Sequence, residues 1–464
     1  RLGYTAEFII QDRYDSTQLI RHLIEVLELD IPFDWSRRIL NVFSLTVNKD
    51  QNLTQVLRDT APHMWSQLGQ IEILQDAYCL HKLQGNTLDY DDLLANFHLL
   101  LETEPDLLES LRQRFTHILV DEYQDVNRLQ SLIIDLLVGP DENVAVVGDD
   151  AQSIYGFRGA DVDQIRSFVR RYPRAQVVRL EHNYRASPEL VALANCCNRN
   201  MVAGFAKNLK STASPGPKPL EVRAFDFEHE ALFIVAQIET LQEAGIPYAE
   251  QAVLFRVHDH MAALEVRLGD RGIPYKIAGA RGVLQTKEAR ILLDHLRILA
   301  HPNNPHIWQN VLSAWPGIGP VGVGRLQAWL FKDNRPWDGM ADMGVEPALG
   351  TRVARAFKPF QQAGLAARAA MVQGPHAALS QWLSAGVLDP RIEGRASEPR
   401  EHLLQMASNF SSIPALLDAL TLPTPESGGG EKAASLLTLS TVHRAKGLEW
   451  DAVYLPSLVE GRLP

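Results

Sequence analysis

The stretch "THILVDEYQDVNRLQ", residues 116–130, is a short apolar, β-rich run that ends on two carboxylates, Asp121 and Glu122. In parallel α/β sheets, ligands bind beyond the carboxyl ends of the strands, which is where these acids fall. An acid pair there suits phosphate chemistry with a hard cation. The first carboxylate orients a hydrated Mg²⁺ on the terminal phosphates of a nucleotide, and the second aligns or deprotonates the attacking water. A solvated strand end whose acids merely cap the next helix carries the same residues, so the pair alone does not decide.

Three further clusters accompany it. "GDDAQSIYGFRGA" (148–160) closes the next apolar run and sets the amide Gln152 just after acidic turn residues and just before Tyr155, Phe157 and Arg158. "LEHNYRASPELVALAN" (180–195) places Tyr184 and Arg185 ahead of a helix start marked by Ser187 and Pro188. "LSTVHRAKGLEW" (439–450) gathers His443, Arg444, Lys446 and Glu449 around Gly447. Each is expected at a strand-to-helix junction, and four in this order are not a run of coincidental turns. Taken by themselves, Tyr155 and Phe157 read slightly more readily as core-filling residues than as a surface for stacking.

The elements that must position these residues follow from periodicity. The first hundred or so residues read as helical, with Leu19, Ile20, Leu23, Ile24 and Leu27 on one face of 17–30 and a second such pattern over 89–102. From residue 115 the pattern alternates: "FTHILVD", a helix over 127–138, "NVAVVGD", another helix, then "QVVRL". "LEVRAF", "QAVLF" and "PYKIAG" extend the strand series, with helices over "FEHEALFIVAQIETLQEAG" and "TKEARILLDHLRILA". Such alternation predicts a parallel sheet with crossover helices. Residues 301–425 carry no strand signal and read as an inserted helical domain; "PESGGGEKA" (425–433) is a flexible linker by composition, and "SLLTLSTVH" and "DAVYLP" return to strand character.

Composition narrows the classes. At 464 residues, 46% hydrophobic and 22% charged, the chain is an ordinary globular one with room for two to four domains. It has no apolar run long enough for a membrane span. The three cysteines, Cys79, Cys196 and Cys197, form no CxxC pair, so a reducing cytoplasmic setting fits and zinc or an iron–sulfur cluster does not. A net charge of -11 excludes coating of nucleic acid by bulk electrostatics but leaves room for a local basic groove.

The four clusters together resemble the UvrD/Rep/PcrA-type superfamily 1A DNA helicases over nearly the whole chain. "VDEYQDVNRLQ" is similar to that family's motif II, "GDDAQSIYGFRGA" to motif III, "LEHNYRA" to motif IV, and "TVHRAKGLEWDAVYLPSLVEGRLP" to motif V and its continuation. The resemblance implies an α/β fold of two RecA-like P-loop NTPase cores, each with a helical insertion and the first of them incomplete. It places the first insertion at 1–114, the rest of the first core at 115–178, the second core at 179–300 and 435–464, and its insertion at 301–434. It implies ATP and Mg²⁺ as cofactors, with Asp121 on the metal, Glu122 as general base, Gln152 sensing the γ-phosphate and Arg185 as arginine finger. Tyr184 would stack on adenine and Glu449, beside Gly447, would touch the nucleotide sugar. Tyr155 and Phe157 would stack on DNA bases, Arg158 and His443 would contact DNA or link it to ATP, and Gly317 and Gly319 of "PGIGPVGVGRLQAWL" would grip duplex.

The implied activity is ATP-driven 3′–5′ translocation on single-stranded DNA and unwinding at single-strand/duplex junctions, in repair or replication, with DNA-repair proteins as further partners. Ala151, Phe157, Arg444 and Trp450 depart from the family's usual residues, and none removes a catalytic group. The phosphate-binding loop ending in Gly-Lys-Thr/Ser is expected upstream of residue 1 and motif VI beyond Pro464, which reads the chain as a segment of a longer polypeptide. A second reading takes it as a complete, non-catalytic DNA-binding or interaction module with a degenerate helicase fold.

Overall fold

A computed structural model describes residues 2–6, 8–201, 205, 207–278, 287–332, 336–341, 349–386, 397–421, 435–461 and 463. The chain divides into two compact units, Arg1–Phe225 and Asp226–Pro464.

The first unit opens with a two-residue strand, β1 (Ile9–Ile10), paired in parallel with β2 (Thr87–Leu88). Between them run α1 (Arg13–Val26), α2 (Ser36–Lys49), α3 (Leu53–Thr60) and α4 (Leu68–Gln84). Most of the α1 stripe foreseen in the sequence is buried, with Leu19, Ile20, Leu23 and Ile24 against Ile39, Phe43, Leu57, Ile71 and Leu74, whereas Leu27, at the C-cap, is exposed. The helix starts earlier than its apolar pattern because Asp12 caps it, accepting from the amides of Tyr14 and Asp15 at 2.7 and 2.9 Å. Next come α5 (Tyr90–Thr103), opened by a capping box between Asp89 and Asp92, and α6 (Pro105–Arg114). The buried Lys82 ammonium lies 2.6 Å from both Asp89 and Asp92, so that box is also the anchor of a buried cation.

The α/β part follows: β3 (Ile118–Val120), α7 (Arg128–Val138), β4 (Val144–Val146), then the short helices α8 (Asp163–Arg166) and α9 (Phe168–Arg171). β3 and β4 are parallel, Ile118 opposite Val144 and Val120 opposite Val146. Tyr123, Ile165, Phe168 and Tyr172 form the core beneath their exits. A second parallel pair, β5 (His182–Asn183) and β6 (Lys210–Ser211), flanks α10 (Pro188–Arg199). Two expected strands are absent. "QVVRL" and "LEVRAF" enter no ladder among the described residues, and Val177, Val178, Leu180, Leu220 and Phe225 are exposed. Their β-propensity is real, but without a paired neighbour and a buried face it does not make a strand.

In the second unit, β7 (Gln251–Phe255), β8 (Tyr275–Ile277), β9 (Leu437–Thr441) and β10 (Ala452–Tyr454) form one parallel sheet in the order β10-β7-β9-β8. β9 thus returns from far along the chain to the centre of the sheet, and all five of its residues are buried. The helices α11 (Phe227–Glu243) and α12 (Ala262–Arg271) cover it through Ile234, Val235, Ile238, Leu264 and Leu268. Between β8 and β9 the described residues are helical: α13 (Lys287–Ala300), α14 (Pro305–Ala314), α15 (Pro320–Leu330), α16 (Pro336–Ala341) and the further helices Thr351–Ala370, Pro375–Ser384, Ser397–Ser408 and Ile413–Thr421. Trp308 and Phe357 fill that core, and Trp315, Phe360 and Trp382 pack around His295, whose complete burial lowers its pKa to about 4 and keeps the imidazole neutral. The expected linker 425–433 lies outside the described residues. No helix among the described residues is long and apolar enough to cross a membrane.

Candidate functional site at the strand ends

The two strand exits are tied together before any side chain acts. The amide of Val147 donates to the Val120 carbonyl at 2.8 Å, and the amide of Tyr123 donates to the Val147 carbonyl at 2.9 Å. Between these bonds the chain turns sharply through Glu122, which sits in the left-handed region at φ 52°. For a residue with a Cβ that conformation costs on the order of 1 kcal/mol or more, and the two flanking bonds hold it in place. Asp121 Oδ1 accepts the Glu122 amide at 2.8 Å, and both acids are exposed.

Gln124, fully buried, joins the two strand ends. Its side-chain amide donates to Glu122 Oε2, while its Oε1 accepts the Asp149 amide at 2.9 Å. Asp149 Oδ2 in turn accepts from Gln152 Nε2 at 2.8 Å. A continuous chain of hydrogen bonds therefore runs from Glu122 through Gln124 and Asp149 to Gln152. Gly148 is required for it, since a Cβ there would stand 2.5 Å from Gln124 Oε1 and 2.8 Å from Ile165 Cδ1.

Lys207 closes the arrangement from a distant stretch of chain. Its ammonium bonds Asp149 Oδ1 and lies 3.0 Å from Asp150 Oδ1, while the Phe205 amide donates to Asp150 Oδ2 at 2.9 Å. Burial alone would raise the Asp149 carboxyl, but hydrogen bonds from Lys207 and Gln152 outweigh it and hold the pKa below the ordinary carboxylate range. For Lys207, burial disfavours the ammonium and the bonds to Asp149 and Asp150 overcome it, raising its pKa. Removing the cation leaves the buried Asp150 carboxylate short of a partner. Lys207→Met is therefore expected to lower unfolding stability by about 1–3 kcal/mol, with most of that loss absent in an Asp150→Asn background. Urea denaturation of the four proteins of the cycle checks this, and additive losses would remove the ion pair from the account.

The aromatic turn follows directly. Tyr155 and Phe157 have ring centroids 6.2 Å apart at 51°, and the Arg158 guanidinium stands 5.4 and 5.6 Å from them. Phe157 is 52% exposed, so it does not fill a core. Gly159, at φ 89°, brings the turn to 3.0 Å from Asn48 for any added Cβ. Asn127 Nδ2 donates to Asn48 Oδ1 at 2.6 Å and Asn48 Nδ2 to Asp91 Oδ1 at 2.7 Å, anchoring the strand-end region on α2 and α5.

Tyr184 and Arg185 follow β5 directly, ahead of α10. Asn183 Oδ1 accepts from the amides of Arg185 and Ala186 at 3.0 and 2.8 Å, and Ser187 then caps α10. This fixes the backbone while leaving both side chains exposed. In the second unit, His443 Nδ1 lies 3.4 Å from Arg256 Nη1, Gly447 turns the chain at φ 84°, and Glu449 is exposed beyond it. Gly317 has φ 87° with Ala356 3.3 Å from where a Cβ would be, and Gly319 occupies the N-cap of α15 without a side-chain acceptor. Two contributors escaped the sequence reading. Gln124 lies within the motif as an unremarked amide, and a lone lysine such as Lys207 has no local signature at all.

Parallel strands with acids and an amide at their carboxyl ends define an α/β protein of the kind that handles ligands at sheet edges. Comparison with known proteins makes the class specific. Residues 1–173 match the "UvrD/REP helicase N-terminal domain" family, and residues 178–329 and 396–464 match the "UvrD-like helicase C-terminal domain" family. The chain belongs to the UvrD-like helicases, with their mixed α/β, RecA-like fold. It is 30% identical over 481 residues to "DNA helicase II" of Escherichia coli strain K12, an alignment covering 99% of this chain and 66% of that protein. It is 28% identical over 482 residues to "ATP-dependent DNA helicase PcrA" of Staphylococcus epidermidis strain RP62A, covering 100% of this chain and 65% of the relative. "ATP-dependent DNA helicase UvrD1" of Mycobacterium tuberculosis strain H37Rv is also 28% identical, over 502 residues, with the same shares. The chain thus spans just under two thirds of the length of these relatives.

Proposed function

We propose that this chain supplies most of an ATP-driven DNA helicase that translocates 3′–5′ on single strands and unwinds at single-strand/duplex junctions in repair or replication. The observation that carries the reading is the hydrogen-bonded path from Glu122 to Gln152, with the half-buried Tyr155 and the exposed Phe157 starting three residues later. Hydrolysis and DNA contact then share one short turn, which is what coupling requires. The names of the relatives support the class of activity.

In this reading Asp121 holds Mg²⁺. Its Oδ1 is taken by the Glu122 amide, whereas Oδ2 accepts no hydrogen bond among the described residues and is free for a hard cation. A single carboxylate suits Mg²⁺, which keeps several waters and takes its remaining ligands from phosphate oxygens. The ion would neutralise charge on the β- and γ-phosphates. Glu122 aligns and deprotonates water, Gln152 registers the γ-phosphate, Arg185 meets the charge that develops on it, Tyr184 stacks on the base and Glu449 reaches the sugar. His443, Arg158 and the Gly317–Gly319 turn contact DNA, the last through helix-start amides that suit a phosphate. The first core, the second core and their insertions would follow the boundaries set out above.

The aromatic pair offers the direct test. Base stacking contributes about 1–3 kcal/mol per base and tolerates any sequence, so Phe157→Ala should weaken single-strand affinity by about 5- to 150-fold. It should also raise the ATP consumed per base pair unwound. Anisotropy titration and coupled hydrolysis–unwinding assays measure both, and unchanged values would return Phe157 to a structural role.

A further inference from the structure

A cavity of about 380 Å³ lies in the first unit between α1, the start of α2 and the end of α3, on elements other than the strand-end turns. It is lined by Arg13, Arg37, Arg38, Asn41, Thr60 and His63 among others, with no carboxylate in the lining. In a chain of net charge -11 a concavity walled by three guanidiniums is against the average. Arg13 Nη2 donates to Asn41 Oδ1 at 3.1 Å, which holds it over the α2 face that carries Arg37 and Arg38 one turn earlier. None of the three arginines forms an ion pair among the described residues.

All three are exposed, so water rather than an acid screens their like charges. Arg37 and Arg38 occupy the first turn of α2, where the helix dipole is positive, and that turn has no acidic residue. The N-cap, Trp35, gives no side-chain acceptor, and the Ser36 amide is taken by the Phe33 carbonyl of the preceding turn. A polar anion reverses the sign of the charge and dipole terms. Three guanidinium forks exceed what one carboxylate can neutralise and match a phosphate or two adjacent ones. The volume is in the range of small-ligand sites.

We infer that this pocket is a phosphate-binding site. Its ligand is either adjacent phosphates of a DNA backbone or a free diphosphate, and the chemistry that recognises both is the same. The site goes beyond the proposed hydrolysis centre and does not depend on it. Asn48, which anchors the strand-end turn, lies ten residues beyond Arg38 on the same helix, about 15 Å along its axis.

Two arms on the full-length protein test it, using Arg37→Gln/Arg38→Gln and, on a different helix, Arg13→Gln. With pyrophosphate as probe in calorimetry, a free-diphosphate site predicts roughly tenfold weaker binding in both variants. With labelled single-stranded and duplex DNA across a salt series, a backbone site predicts that the slope of log affinity against log salt falls by about two in the double variant and by about one in Arg13→Gln. A change in either arm supports the site and identifies its ligand. Unchanged values in both arms, with thermal midpoints preserved, overturn it. Because the comparison is between variants that both keep the strand-end residues, failure here leaves the helicase reading standing, whereas absence of any DNA binding by the unaltered protein sinks that reading instead.

Discussion

Glu122→Gln is expected to cut DNA-stimulated ATP turnover by about 10²- to 10⁴-fold, the range for loss of a general base, while single-strand affinity stays unchanged. The substitution is close to isosteric. Glutamine can keep the left-handed turn at φ 52° and, by presenting its carbonyl oxygen to Gln124, preserve the bond that Glu122 Oε2 now accepts. The path to Gln152 therefore survives, and only the capacity to take a proton from water is lost. Asp121→Asn should also lower turnover, but with a raised Mg²⁺ requirement that Glu122→Gln does not show, which separates the metal-holding role from the proton-accepting one. Steady-state hydrolysis at saturating DNA and a Mg²⁺ titration make the comparison. Wild-type turnover in Glu122→Gln would remove the general-base assignment.

Much of this architecture was legible in the residues, and the failures are instructive. β3, β4, β7, β8, β9 and β10 were readable because each is a short, largely apolar run bounded by turn residues, although only β7 and β9 are buried along their length. The same criterion over-read "QVVRL" and "LEVRAF", whose exposed valines and leucines show that composition does not reveal whether a partner strand is present. Asp121, Glu122 and Gln152 were singled out because chemistry at strand ends uses few residue types. What connects them was not. Gln124 acts through both ends of one amide, a role that depends on burial and orientation, and Lys207 reaches Asp149 and Asp150 from more than fifty residues away. Long-range ion pairs of this kind leave no periodic trace. Nor could the sequence separate a core-filling Phe157 from an exposed one, since an aromatic in a Gly-flanked turn suits either, and its surroundings decide.

Arg185→Ala should be the other large loss, about 10³- to 10⁵-fold in turnover if its guanidinium meets the γ-phosphate charge in the transition state. The Arg185 backbone is set by Asn183 and by the Ser187 cap of α10. Because a transition-state contact contributes little to ground-state binding, the loss should fall on kcat with the KM for ATP changed by only a few-fold. Arg185→Lys should recover a minor part, since a point charge replaces a planar fork that can bond two phosphate oxygens at once. A different pattern is expected for Lys207→Met, which disturbs the Asp149–Gln152 end of the path through a positioning effect and is substantially rescued by Lys207→Arg. Arg185 would then act on the phosphate itself and Lys207 on the turn that senses it. Equal rescue by the conservative variant at both positions would contradict that division, and a turnover within about threefold of wild type in Arg185→Ala would remove the finger from this site altogether.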